Sequence, residues 1–260
     1  MAILERDDLD GIATLTLNMP EKLNALSDGM LVAMQDALDT IADDPSVRVV
    51  IIRGAGKAFC AGHDLREMQT KRANADAGEV ALKGLFDRCA LMMQRIQSIP
   101  QPVIAQVHGV AVAAGCQLVA TCDLAIAADD TRFGVNGVNI GLFCSTPMVA
   151  LTRNVSRKAA FEMLTTGRLI DADEAVRLGL TNKAVPAADL ETETRALAKT
   201  IAAKLASAVK IGKQAFYAQA NMSTDDAYAF TGEVMVANMK NDDTAEGITA
   251  FLEKRSPNWD

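Results

Sequence analysis

The stretch PVIAQVHGVAVAAGCQLVATCDLAIAA, residues 102–128, predicts a strand, a small-residue loop, a helix and a second strand in direct succession. Residues 102–109 are mostly apolar and end in glycine, as a buried strand does. Residues 113–120 open a helix, and residues 122–128 form another buried strand. Strands that alternate with helices in this way are typical of an α/β protein.

The same alternation continues towards the N-terminus. Residues 11–18 alternate in side-chain polarity and predict a strand that pairs with residues 2–6. Residues 47–54 form a β-branched run that predicts a buried strand, and residues 76–98 predict a helix. We therefore predict an α/β core.

The pattern changes after Pro186, where the strands stop. Residues 188–255 predict successive helices. The breaks between these helices are predicted near Ser207, Ser223 and Asn241. The sequence thus predicts a core over residues 1–186 and a C-terminal helical segment over residues 187–260, packed on its own core or on a neighbour.

The composition is that of a globular protein, with 260 residues, of which 50% are hydrophobic and 23% charged. The most apolar stretch, residues 103–128, is interrupted by polar residues, whereas a membrane helix needs ~20 largely uninterrupted apolar ones. The N-terminal sequence MAILERDDLD is acidic and resembles neither a signal peptide nor an Arg-rich transit peptide. We expect no membrane partner.

Charge and cysteine content suggest further exclusions. A net charge of −7 argues against nucleic acid as a partner, because phosphate backbones bind basic surfaces. The five cysteines are odd in number and form no CxxC pair, so we expect free thiols in a reducing cytoplasm. Two histidines are too few and too scattered to predict a metal site.

Four motifs occur in one order along the chain. They are NMPEKLNALS (18–27), GKAFCAGHDL (56–65), AQVHGVAVAAGCQLVATCDLAIAADDTRFG (105–134) and GRLIDADEAVRLGLTNKAVP (167–186). Together they resemble the crotonase, or enoyl-CoA hydratase/isomerase, superfamily, and the likeness runs from about residue 3 to the C-terminus.

This resemblance implies a crotonase-like β-β-α spiral core, with residues 187–260 as a helical oligomerisation segment. It implies self-association into a homotrimer or a dimer of trimers. The implied ligand is an acyl-CoA thioester, so coenzyme A is part of the substrate and no cofactor is bound permanently. The shared chemistry of the superfamily stabilises an enolate at the thioester oxygen.

Two backbone N–H groups are implied as the oxyanion hole for that enolate. One belongs to His63, which follows the AG of the CAGHDL loop, and the other to Ala114 at the start of the AAGCQ helix. A helix N-terminus carries partial positive charge towards a developing anion.

The two glutamates of the superfamily's hydratases have no equivalent here. The positions that correspond to them are Gln117 and Gly137. Glutamine can hold a water but cannot take its proton, and a general acid–base group contributes ~10²–10⁴ in rate. Ordinary hydration is therefore doubtful.

Two other side chains are candidates for a replacement role. Cys144 stands near a position where some relatives place a catalytic Asp, and His63 adds an ionisable ring. The alternatives are a small buried cysteine and a histidine that contributes only its backbone. An enzyme of enolate or thioester chemistry and a non-catalytic acyl-CoA-binding protein both remain open.

The resemblance also implies residues that contact coenzyme A. Lys22 and the backbone of Leu23 lie in PEKLNAL, and Lys254 matches a lysine that relatives lend to a neighbouring subunit. The loop residues His63, Asp64 and Leu65 are assigned to the same ligand, with Asp64 also fixing its loop by bonding backbone N–H groups.

Overall fold

The structure is a computed structural model that describes residues 2–259. Its strands are β1 Leu4–Leu9, β2 Ile12–Leu17, β3 Val49–Gly54, β4 Val103–Val107, β5 Val110–Val112, β6 Leu124–Ala128, β7 Arg132–Gly134, β8 Ile170–Asp171 and β9 Lys183–Val185. Its α-helices are α1 Asp28–Ala42, α2 Leu65–Arg72, α3 Glu79–Ser98, α4 Ala114–Thr121, α5 Pro147–Asn154, α6 Arg157–Thr166, α7 Ala172–Leu178, α8 Leu190–Ala202, α9 Ala206–Gln219, α10 Thr224–Met239 and α11 Asp242–Leu252.

The larger sheet has six strands in the order β1-β2-β3-β4-β6-β9. The hairpin of β1 and β2 is antiparallel, with Leu4 opposite Leu17, and confirms the predicted pairing. Asp10 and Gly11 form its turn, both with positive φ, as the tight turns of hairpins require. The remaining neighbours are parallel and rich in buried β-branched residues, as strands covered on both faces are.

A smaller sheet of β5, β7 and β8 lies beside the first. The chain places β4 in the large sheet and β5 in the small one before it enters α4. It then repeats the step with β6 and β7. This alternation between two sheets, with a helix between successive steps, is the predicted β-β-α spiral.

Both faces of the large sheet are covered by helices. On one face, Val50 and Ile52 join Met34 and Leu38 of α1 in the main apolar cluster. On the other, Ile51 and its neighbours pack against α8, whose Ala198 is fully buried. The first helix after residue 186 therefore completes the core, whereas α10 buries none of its side chains in the isolated chain.

Helix α9 is held against the core by a buried lysine that pairs with an aspartate. Lys213 of α9 is 8% exposed, and its Nζ donates to Asp123 Oδ2 at 2.6 Å. The same ammonium group donates to the carbonyl oxygens of Ile96 and Gln101, at 2.8 and 2.9 Å. Tyr217, one turn further along α9, donates its hydroxyl to Asp123 Oδ1. Every donor of the buried ammonium group thus has an acceptor.

No helix among the described residues has the length and apolar character needed to cross a membrane. No group of three or more acidic, cysteine or histidine side chains in residues 2–259 is arranged to hold a metal ion. The assignment of residues 187–260 to oligomerisation stays a prediction.

We predict that Lys213→Met lowers the free energy of unfolding by about 3 kcal/mol, because it leaves the largely buried Asp123 carboxylate, whose side chain is 14% exposed, without its cation. Urea denaturation measures the change. The matched control is Lys210→Met on the same helix, where the side chain is exposed and the change should stay within about 0.5 kcal/mol. Equal loss in both variants would show that the ion pair does not hold α9 in place.

Candidate active site

The loop of residues 60–63 pairs with β5 through a single parallel bridge, in which Cys60 lies opposite Ala111. Cys60 N donates to Val110 O, and Val112 N donates to Cys60 O, both at 3.1 Å. A Cβ at Gly115 would lie 2.1 Å from Cys60 O, so only glycine lets the first turn of α4 approach the loop this closely. Backbone therefore packs directly on backbone at this point.

Between β5 and α4 the chain turns sharply at Ala113. This residue has φ 50° and ψ −119°, a conformation that costs an L-residue ~1–3 kcal/mol. A Cβ at Gly62 would lie 3.1 Å from Ala114 N, so the turn brings the helix start against the loop that carries His63. Within residues 2–259, neither the His63 N–H nor the Ala114 N–H donates to another protein atom.

A cavity of about 520 Å³ opens at this junction. The sequence-predicted residues that line it are His63, Leu65, Ala114, Gly137 and Cys144. Its other walls are mostly apolar and include Met68, Phe86, Ile140, Leu142 and Phe143. Among the described residues no Asp, Glu, Lys or Arg lines it, so His63 and Cys144 are its titratable side chains.

The imidazole of His63 is held in one tautomer. Its Nδ1 lies 3.1 Å from Leu26 O, and because a carbonyl only accepts, Nδ1 carries the proton. The opposite nitrogen, Nε2, is buried with no protein partner, and the edge of the ring meets Phe86 with centroids 5.6 Å apart. Burial lowers the pKa of His63, so the ring is neutral at pH 7.

Cys144 lines the cavity but is not an activated nucleophile. Only 8% of the residue is exposed, and burial raises the pKa of its thiol, although the Gly137 N–H donates to the sulfur and opposes this rise. The group is therefore a neutral thiol at pH 7.

Gly137 has no room for a side chain. A Cβ there would lie 2.6 Å from Leu142 O and 2.9 Å from Cys144 Sγ. Leu142 N donates to Gly137 O at 2.9 Å, which holds the two loop segments together. A carboxylate at position 137 is thus sterically excluded in this conformation, in addition to being absent from the sequence.

Gln117 does not line the same cavity. It lies in the first turn of α4, 5% exposed, and borders a second cavity of about 420 Å³. Its Oε1 is buried with no hydrogen-bond partner. Thr146 lines both cavities and so stands in the wall between them.

Of the residues predicted to contact coenzyme A, some lie close together and one lies elsewhere in the fold. Lys22 Nζ lies 3.4 Å from Asp64 Oδ2, with the lysine half exposed. Asp64 caps α2, because its Oδ1 accepts from the N–H groups of Arg66 and Glu67. Leu23 directly follows Lys22, whereas Lys254 lies beyond the end of α11 and lines neither cavity.

Sequence reasoning missed several polar residues at the two cavities. These are Ser145 and Thr146 in the first, and Arg153 and Asn221 in the second. Nothing in the local sequence marks them, because they reach the cavities from elements separated from α4 by 20 residues or more.

This chain belongs to the enoyl-CoA hydratase/isomerase family, whose profile matches residues 7–260. The superfamily predicted from the four motifs is therefore confirmed, together with its fold. Within the family the chain is 47% identical to enoyl-CoA hydratase domain-containing protein 3, mitochondrial, of Xenopus laevis, over 96% of this chain and 83% of the relative.

Two solved structures resemble the chain over nearly its whole length. A crystal structure of an enoyl-CoA hydratase from Mycobacterium smegmatis is 52% identical, with a TM-score of 0.95 over 99% of this chain and 98% of that one. The crystal structure of human enoyl-CoA hydratase domain-containing protein 3 is 45% identical, with a TM-score of 0.94 over 99% and 100%.

One expectation from the sequence is wrong on this comparison. We predicted a cytoplasmic location, but the relatives from Xenopus laevis, human and zebrafish are named as mitochondrial proteins. The prediction relied on free thiols, and unpaired cysteines fit any reducing compartment.

We predict that Gly137→Ala destabilises the protein by about 1–3 kcal/mol, because the added methyl group overlaps the Leu142 carbonyl oxygen. Urea denaturation provides the measurement. Gly232→Ala in α10 is the matched control: its Cβ meets nothing within 4 Å, so it should be neutral or stabilising by up to about 1 kcal/mol. Wild-type stability in Gly137→Ala would mean that the loop adapts freely.

We also predict slow alkylation of Cys144 by iodoacetamide at pH 7.5. The rate should still be rising above pH 9, since burial raises the pKa of this thiol. Peptide mass spectrometry at a series of pH values follows each cysteine separately, with the fully buried Cys60 as an internal reference. Rapid modification of Cys144 at pH 7.5 would contradict the assignment of a neutral thiol.

Proposed function

We propose that this protein binds an acyl-CoA thioester in the 520 Å³ cavity, with the thioester oxygen accepting from the N–H groups of His63 and Ala114. The observation that carries the proposal is that two residues with unpartnered backbone donors, one of them at a helix start, line the same apolar cavity. Each such donor is worth ~10²–10³ in rate when an oxyanion develops.

The surroundings suit the two ends of such a ligand. The apolar walls formed by Phe86, Leu142 and Phe143 accommodate an acyl chain. Outside the cavity, Lys22 is half exposed and oriented by Asp64, which suits a phosphate of coenzyme A. Coenzyme A then enters as part of the substrate, and no permanently bound cofactor is needed.

Hydration of an enoyl-CoA is disfavoured in this site. No carboxylate lines the cavity, and the two positions of the hydratase glutamates carry Gln117 and Gly137. Without the two carboxylates that position and activate the water, the pair of donors supports enolate stabilisation better than water addition.

His63 is the candidate base for enolate chemistry. Its ring is neutral, its Nδ1–H is fixed by Leu26, and its Nε2 carries a lone pair that is buried in the free protein, so this role requires the ring to move when the ligand binds. Cys144 is less suited, because a neutral thiol is a poor nucleophile and a poor base.

A non-catalytic acyl-CoA-binding protein is the second candidate. The observation that favours it is the complete burial of His63 Nε2 behind protein atoms, which separates the lone pair from a bound ligand. In this case the cavity retains a thioester without transforming it.

We further propose that the protein self-associates, as a homotrimer or a dimer of trimers. Large apolar side chains of the last three helices are exposed in the isolated chain, among them Phe216, Tyr228 and Phe251 at 65, 77 and 81%. Burial of this surface against another copy is favourable. Lys254 would then serve a neighbouring subunit's ligand.

The test uses purified protein in heavy water with a panel of acyl- and enoyl-CoA thioesters, read by mass spectrometry. We expect deuterium at the α-carbon above a no-protein control, without mass gain of a water. Loss of the acyl group would instead indicate thioester hydrolysis. Binding with no mass change across the panel would reject the enzyme and favour the non-catalytic candidate.

Variants separate the ring of His63 from its backbone. His63→Ala keeps the N–H donor and removes the imidazole, so we expect thioester binding to persist while α-deuteration falls by ~10²-fold or more. His108→Ala is the control, because His108 lines neither cavity. Undiminished exchange in His63→Ala would exclude the ring as the base.

A further inference from the structure

A second cavity lies on the other side of the wall that contains Thr146. It is about 420 Å³ in volume, is open to solvent on one side, and is bounded by α3, α4, α5 and the turn that follows α9. No Asp or Glu lines it among the described residues, and its polar lining consists of amides, hydroxyls and one guanidinium group. Those polar residues include Gln94, Gln97, Gln117, Arg153 and Asn221.

Gln117 is the most informative of these side chains. It is 5% exposed, and its Oε1 has no hydrogen-bond partner within residues 2–259. A rotation of the amide by 180° exchanges the positions of Oε1 and the NH₂ group, so either of them can be the atom on the cavity side. An unpaired amide at the cavity wall can form a hydrogen bond with a polar group of a ligand.

Arg153 supplies the charge. Arg153 is exposed, its Nη1 donates to Val149 O at 2.8 Å within its own helix, and no carboxylate of the described residues forms a salt bridge with it. The remaining guanidinium donors are available to a ligand. A guanidinium group and side-chain amides, with no acid among them, recognise a carboxylate.

We propose that this second cavity binds a carboxylate group, held by Arg153 and by the amide of Gln117. The carboxylate has two possible sources, which share this chemistry. One is the far end of a dicarboxylic acyl chain whose thioester occupies the first cavity, and this arm rests on the proposed function. The other is a separate small dicarboxylate.

The first source requires an acyl chain that reaches from the first cavity into the second. Ala114 and Gln117 are three residues apart on this helix, which corresponds to about 4.5 Å along its axis. A short acyl chain spans such a distance, provided that it passes Thr146, which borders both cavities. The preferred substrate class is then a short dicarboxylic acyl-CoA.

The experiment compares glutaryl-CoA with pentanoyl-CoA, which has the same chain length without the carboxylate, by isothermal titration calorimetry. We expect the wild-type protein to bind glutaryl-CoA at least about tenfold more tightly, since hydrogen bonds between a guanidinium group and a carboxylate are charge-assisted. Arg153→Gln and Gln117→Leu should reduce this preference to about twofold or less. Arg157→Gln, an exposed arginine at the start of α6 that lines neither cavity, should keep it.

A second arm tests the separate ligand with free glutarate, measured as a shift in Tm. A rise in Tm for the wild type that is lost in Arg153→Gln, without any preference between the thioesters, supports the separate dicarboxylate. If the wild type shows no preference between the thioesters and no shift in Tm with glutarate, the carboxylate site is overturned.

The outcomes also keep the two proposals apart. Equal binding of both thioesters, with no response to glutarate, overturns the carboxylate site and leaves the thioester cavity supported. A response to glutarate with no thioester binding supports the carboxylate site and rejects the acyl-CoA ligand. Circular dichroism of the variants establishes that each one is folded before the comparison is made.

Discussion

The close packing of the 60–63 loop against β5 and the first turn of α4 is the contact on which the rest of the site depends. Gly62 and Gly115 make it possible, because any Cβ at either position would overlap a neighbouring atom. The strained turn at Ala113 then directs α4 away from the small sheet. Two backbone donors remain unpartnered as a result, which is costly for folding and useful for holding an oxyanion.

Around these donors the cavity is electrically neutral. Gly137 cannot carry a side chain while Cys144 and the Leu142 carbonyl occupy the adjacent space. Burial keeps His63 unprotonated and Cys144 protonated, so neither side chain brings charge to a ligand. Charge is found outside, at Lys22, and behind the Thr146 wall, at Arg153. This distribution suits a neutral reacting centre with charged groups at both ends of its ligand.

Much of the fold was accessible from local patterns. The hairpin of β1 and β2 follows from alternating polarity, and β3, β4 and β6 follow from short apolar runs, with ends displaced by one or two residues. The helical character of the C-terminal segment was also predictable. The packing of α8 on one face of the sheet was not predictable. Its sequence is amphipathic like that of any surface helix, and this pattern does not specify which surface the helix packs on.

The sequence by itself determined the approximate positions of β1 to β4 and β6, the helical nature of the C-terminal segment, the family, and the absence of glutamates at positions 117 and 137. These features depend on residue type and spacing along the chain. The tertiary structure alone decided that Gln117 borders a different cavity from Ala114 and Gly137, and that Cys144 fills the space beside Gly137. Side-chain direction in a loop depends on contacts between segments far apart in sequence, and no local pattern encodes those contacts.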